Sequence, residues 1–101
     1  MADRFVRSQI REHSVTLFVT SGCPYSRNAL EMLKSYSFVP DGLRVVDITA
    51  REDVQSYIQQ RTGQRSAPHV FIGKYCIGGF SDLQSISCDL PRMVQQIGAL
   101  C

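Results

Sequence analysis

The sequence predicts an α/β domain spanning residues 1–101 as one unit: a four-stranded mixed sheet with helices on both faces, about five in all. Three observations carry this. Short β-branched, apolar runs alternate with segments of helical period along the chain. The first two runs are separated by a helix-length segment, which fits a parallel crossover, whereas the last two are separated only by Gly73-Lys74, which fits a hairpin. The chain has 101 residues, 44% of them hydrophobic, which suffices for one domain and leaves no room for a second.

Each element has its own local reason. Residues 3–11 place Phe5, Val6 and Ile10 at helical spacing. Residues 15–19 are β-branched and apolar, as in a buried strand, and Ser21-Gly22 breaks the run. Pro24 opens a helix, because the N–H it lacks would be unpaired at the first helical position anyway. Ala29, Leu30, Met32, Leu33 and Tyr36 then fall on one side. Asp41-Gly42 is a turn ahead of a second strand over 43–48. Residues 51–62 carry Val54, Tyr57, Ile58 and Arg61 at helical spacing, and Gly63 stops them. Residues 69–72 and 75–77 form the hairpin, ended by Gly78-Gly79. Ser81 starts a short helix, and residues 91–100 make the last one, with Leu90, Val94 and Ile97 inside.

Composition excludes several functions. Lys and Arg total 11 against 9 Asp and Glu, a net charge of +2, so no nucleic-acid partner is expected without a dense basic stripe. The longest apolar runs are a few residues, so no membrane span is expected. Met1-Ala2-Asp3-Arg4-Phe5 lacks the apolar stretch of a secretory signal. A cytoplasmic, reducing location with free thiols is therefore the expectation. In such a place the four cysteines, Cys23, Cys76, Cys88 and Cys101, would ordinarily be small buried hydrophobes. His13 and His69 have no metal-like spacing to any of them, and no metal is expected.

Cys23 departs from that ordinary role. It lies after a strand and before a Pro-initiated helix, which makes it the N-cap. There its sulfur can accept hydrogen bonds from the N–H groups of Tyr25 and Ser26, and the helix dipole favours thiolate over thiol. Arg27, one turn on, adds a positive charge. Such a thiolate attacks disulfides at neutral pH.

Cys23-Pro24-Tyr25-Ser26 resembles the active-site motif of the glutaredoxins, with serine in place of the second cysteine. The resemblance runs over nearly the whole chain, through Val46-Asp47-Ile48-Thr49-Ala50, Ser66-Ala67-Pro68, Val70-Phe71-Ile72-Gly73-Lys74 and Gly78-Gly79-Phe80-Ser81-Asp82, and is closest to the cytosolic vertebrate and poxvirus glutaredoxins. It implies a thioredoxin fold and a glutathione-dependent thiol–disulfide oxidoreductase, a monomer with glutathione as co-substrate and glutathionylated proteins as partners. It implies a cis peptide at Pro68, with the backbone of Ala67 pairing with the cysteine of bound glutathione. Gly79, Phe80, Ser81 and Asp82 would take the γ-glutamyl end, Asp82 pairing with its ammonium group. Gln55 and Arg65 would take the glycine carboxylate, Arg65 through its planar fork. Tyr25 would line the groove beside the sulfur. Thr20 replaces a frequent lysine and Gly22 a frequent threonine, so weaker glutathione binding and a less stabilised thiolate are expected.

Ser26 removes the resolving thiol, whether the serine is natural or a replacement made to trap an adduct. Serine matches cysteine in size and can donate a hydrogen bond, but it forms no disulfide. What remains is monothiol chemistry on protein–glutathione mixed disulfides. Two alternatives stand beside it. One is a dimeric carrier bridging a [2Fe–2S] cluster through Cys23 and two glutathiones, which Pro24 argues against by stiffening the loop. The other is a binding module that docks glutathionylated proteins without turnover. Tyr57 and Tyr75 read as packing residues, Cys76 as facing either side of its strand, and Cys101 as exposed.

Overall fold

The structure is a computed structural model that describes residues 2–63 and 67–101. The elements run α1 (Ala2–Gln9), β1 (Val15–Val19), α2 (Pro24–Lys34), β2 (Leu43–Asp47), α3 (Glu52–Thr62), β3 (His69–Ile72), β4 (Tyr75–Gly78), α4 (Phe80–Ser85) and α5 (Leu90–Gln96). The sheet order is β2-β1-β3-β4. β1 pairs in parallel with β2, Leu17 opposite Val45, and antiparallel with β3, Leu17 opposite Val70. The β3–β4 hairpin completes the sheet.

Strand alternation sorts the core into two layers. Val15, Leu17, Val70 and Ile72 face one side, where Ala29 and Leu33 of α2, Leu83 of α4 and Leu90 and Val94 of α5 cover them. Phe18 and Phe71 face the other, with Val6 of α1 and Val54 and Ile58 of α3. Their rings meet edge to face, 5.8 Å apart. Coverage of both faces is why β1 and β3 read as mostly apolar runs, each with one buried polar residue, Thr16 and His69. Each fully buried Leu or Phe contributes about 2–3 kcal/mol of transfer free energy. Thr16, on the Phe18 side, satisfies its hydroxyl by donating to the Gln9 carbonyl at 3.2 Å.

Several boundaries and placements differ from expectation. The last helix ends at Gln96, not at residue 100. Gly98 adopts φ +81°, a left-handed conformation open to glycine. Its N–H donates to Gln95 O at 3.0 Å and the Ala99 N–H to Val94 O at 3.2 Å, the paired bonds of a Schellman stop. Leu100 is then free to bridge Phe38 in antiparallel fashion. The second strand ends at Asp47, with Ile48 turned into the core at its end. Tyr75 is 80% exposed at the start of β4, so it is a surface residue and not a packing one. Cys76 and Cys88 are exposed, contrary to the ordinary buried role, as is Cys101.

Candidate active site

Among the described residues β1 alone is paired in parallel and antiparallel at once, and the chain leaves its carboxyl end at Thr20. Open α/β sheets place sites there. Cys23 is the N-cap of α2, in extended conformation, with Pro24 at the first helical position. It is half-buried in a depression of about 220 Å³ lined also by Val19, Thr20, Gly22, Ser26, Arg27 and Leu30. No other cysteine lines it.

The peptide bond between Ala67 and Pro68 is cis, and both residues are buried. The Cys23 thiol donates to the Ala67 carbonyl at 3.5 Å. Partial burial opposes ionisation of the sulfur. The Ser26 hydroxyl, the N–H groups of Ser26 and Tyr25, and the Thr20 hydroxyl outweigh it, so the Cys23 thiol ionises below its ordinary range. The downward pull comes from these hydrogen-bond donors, not from Arg27, which lines the depression one turn along the helix. Thr20, read from sequence as a lost charge, is thus a donor in its own right. Cys76 shifts the opposite way: burial of its sulfur and the charge of Asp82 push it up, although the residue's surface is exposed. It lines a separate groove between α1 and α3.

Tyr25 is 62% exposed, its ring 6.1 Å from that of Phe80, so the starts of α2 and α4 meet beside the sulfur. Gly79 caps α4, and its N–H donates to Asp82 Oδ2 at 2.9 Å. Asp82 therefore caps its own helix, and Ser81 stands exposed between Phe80 and Asp82. Gly78 has φ +116°, and a side chain there would put its Cβ 2.8 Å from Asp82 Cγ. Gln55 already has partners in the structure. Its amide N–H groups donate to the carbonyls of Ile48 at 2.8 Å and Thr49 at 3.2 Å, holding the β2–α3 corner instead of facing the depression. Arg65 and Ser66 lie outside the described residues.

Two residues of consequence carry no role in the sequence reading. Thr49 donates its hydroxyl to Asp47 Oδ1, its N–H donates to the same oxygen at 2.8 Å, and its Oγ1 accepts the Ser21 N–H at 2.8 Å. This ties the loop that carries Cys23 to the loop after β2. The local signal is an Asp-x-Thr step at a strand end, a composition that favours side-chain-to-backbone turns.

A thiol prone to ionise, at the end of the central strand of this sheet and against a cis-proline loop, defines a thioredoxin-fold oxidoreductase. The Glutaredoxin family profile matches residues 15–77. Glutaredoxin-1 of Gallus gallus is 56% identical over 100 residues, covering 99% of both chains, and that of Sus scrofa 46% over 105 residues, again covering 99% of both. A solved buckwheat glutaredoxin–glutathione complex superposes with a TM-score of 0.88 at 24% identity, covering 100% of this chain and 94% of the other. The chain belongs to the glutaredoxin family and is a glutathione-dependent oxidoreductase. No helix among the described residues is long and apolar enough to cross a membrane.

Proposed function

We propose that this protein reduces protein–glutathione mixed disulfides by a monothiol route, as a single-domain monomer in the cytoplasm. The observation that carries the reading is Cys23 itself: a cap thiol that ionises readily, with no second cysteine in its depression and serine at the resolving position. The Cys23 thiolate attacks the glutathionyl sulfur; the S–S bond to the target breaks, and the target leaves as a thiolate that takes a proton from water. A second glutathione thiolate then attacks the glutathionyl sulfur held on Cys23. Oxidised glutathione leaves and the Cys23 thiolate returns. The net exchange converts the mixed disulfide and one glutathione into the protein thiol and oxidised glutathione.

Glutathione would lie along Ala67 and Pro68, its γ-glutamyl end toward Gly79, Phe80, Ser81 and Asp82, with Tyr25 and Thr20 flanking the sulfur. The superposable buckwheat protein is a glutathione complex, which supports this placement. Arg65 is proposed for the glycine carboxylate, and Gln55 would join it only by releasing a loop carbonyl. The test is turnover of a glutathionylated protein with glutathione and glutathione reductase. We expect steady turnover that Cys23→Ser abolishes; no turnover, or undiminished turnover in Cys23→Ser, overturns the reading. Ser26→Cys should add protein-disulfide reduction and keep deglutathionylation.

A further inference from the structure

Among the described residues, the core layer between the sheet and helices α1 and α3 contains no residue of β4. Where that layer stops, a groove of about 210 Å³ opens between α1, α3 and the rim of the sheet. Its floor continues the core: Val6 and Ile10 of α1, Ile58 of α3 and Phe71 of β3. Cys76 of β4 lines it too, opposite Phe71 in the strand register. Burial and the charge of Asp82 push this thiol up, so at neutral pH it is an uncharged wall. The charged groups lining the groove are cationic, Arg7 and Arg61. Asp3 stands next to them: it holds Arg7 at 3.0 Å and accepts the Tyr57 hydroxyl. Arg61 has no carboxylate within ion-pair distance among the described residues. Its guanidinium lies over the Tyr57 ring, 5.3 Å from the centroid. Stacking occupies the face of the guanidinium and leaves the N–H donors in its plane available. One carboxylate thus stands against two guanidiniums beside an apolar cavity.

We propose that this groove binds a small amphipathic carboxylate, its apolar chain on Val6, Ile10, Ile58 and Phe71 and its head group on the fork of Arg61. Apolar walls that hold a ligand and a few polar groups that orient it are the ordinary make-up of a small-molecule site. An apolar cavity of about 150 Å³ accepts benzene, so this one suits a chain of about eight carbons. The planar guanidinium of Arg61 can bind both carboxylate oxygens. Arg7, already engaged by Asp3, adds attraction at longer range. An ammonium head of the same chain length meets two like charges there. An alcohol keeps the apolar contact and loses the ion pair. Binding is non-covalent, since the protonated Cys76 thiol is a poor nucleophile. The groove shares no lining residue with the depression that holds Cys23, so the site stands apart from the redox chemistry.

The test titrates octanoate, kept below its micelle-forming concentration, into the intact protein and follows the methyl signals of Val6, Ile10 and Ile58 by carbon NMR. These signals should shift saturably. Octan-1-ol should bind about tenfold more weakly, the loss of one hydrogen-bonded charge, and octylammonium should leave the signals still. Arg61→Gln, a change at an exposed residue, should raise the octanoate Kd by about the same factor. A second readout uses the thiols: alkylation by iodoacetamide at mildly alkaline pH, measured on each cysteine-containing peptide by mass spectrometry. Octanoate should slow the reaction of Cys76 and leave that of the equally exposed-class Cys88 unchanged. Unmoved methyl signals, a response to octylammonium or octan-1-ol equal to that of octanoate, or an unchanged Kd in Arg61→Gln overturns the proposal.

Discussion

A side chain at residue 78 would have nowhere to go. Gly78 sits at φ +116° with the Asp82 carboxylate against its Cα, and Asp82 in turn holds the Gly79 N–H. Gly78→Ala must therefore either strain the backbone or displace Asp82, at a cost of about 1–3 kcal/mol. Under the proposed glutathione placement, the same change should raise KM for glutathione several-fold while leaving kcat less affected. Urea unfolding and steady-state kinetics check the two halves. Local sequence shows that Gly78-Gly79 ends a strand, but not that Asp82 folds back over it. Cys23 and Pro24 were legible because each acts through its own backbone neighbours, whereas the cis bond before Pro68 was implied by the family resemblance alone. Arg27 is the instructive contrast: proximity in sequence suggested charge support, whereas the sulfur is served chiefly by nearer donors, Ser26, Tyr25 and Thr20.

Among the elements, the strands were the easiest to read. β1 and β3 are covered on both faces, so their runs are apolar but for Thr16 and His69. The end of α5 was harder, because apolar residues continue past it and only the Schellman bonds around Gly98 show where the helix stops. Hardest was the tie between loops, since Asp47, Thr49 and Ser21 become neighbours only once β1 and β2 lie parallel. Thr49→Val removes the acceptor of the Ser21 N–H and the hydroxyl on Asp47. It should cost about 1 kcal/mol in urea unfolding. The loop carrying Cys23 loses that tie, so deglutathionylation should slow several-fold with no change in the pathway.

The molecule as a whole carries a buried base. His69 is 2% exposed on the Phe18 side of the sheet, and burial lowers its pKa to about 4. Unfolded, it protonates near its ordinary value of about 6.5. On acidification the unfolded chain thus takes up the proton first. Stability is full above about pH 6.5, falls as pH drops toward about 4, and gains no further loss from His69 below that. The loss across this window is about 3 kcal/mol. Asp3, Asp47 and Asp53 are held below the usual carboxylate range, chiefly by hydrogen bonds from Tyr57, Thr49 and Arg51 respectively, and so act at lower pH still. Thermal unfolding of His69→Gln should lose most of the slope between pH 6.5 and 4; an unchanged slope would place the acid sensitivity elsewhere. The sheet order has a mechanical consequence as well. β1 is an inner strand, clamped by β2 on one side and β3 on the other, while β2 and β4 form the rims. Fluctuations that fray the molecule from its rims must release β2 or β4 before they reach the strand that leads to the reactive sulfur, so a partner must come to an anchored nucleophile that does not wander out to meet it.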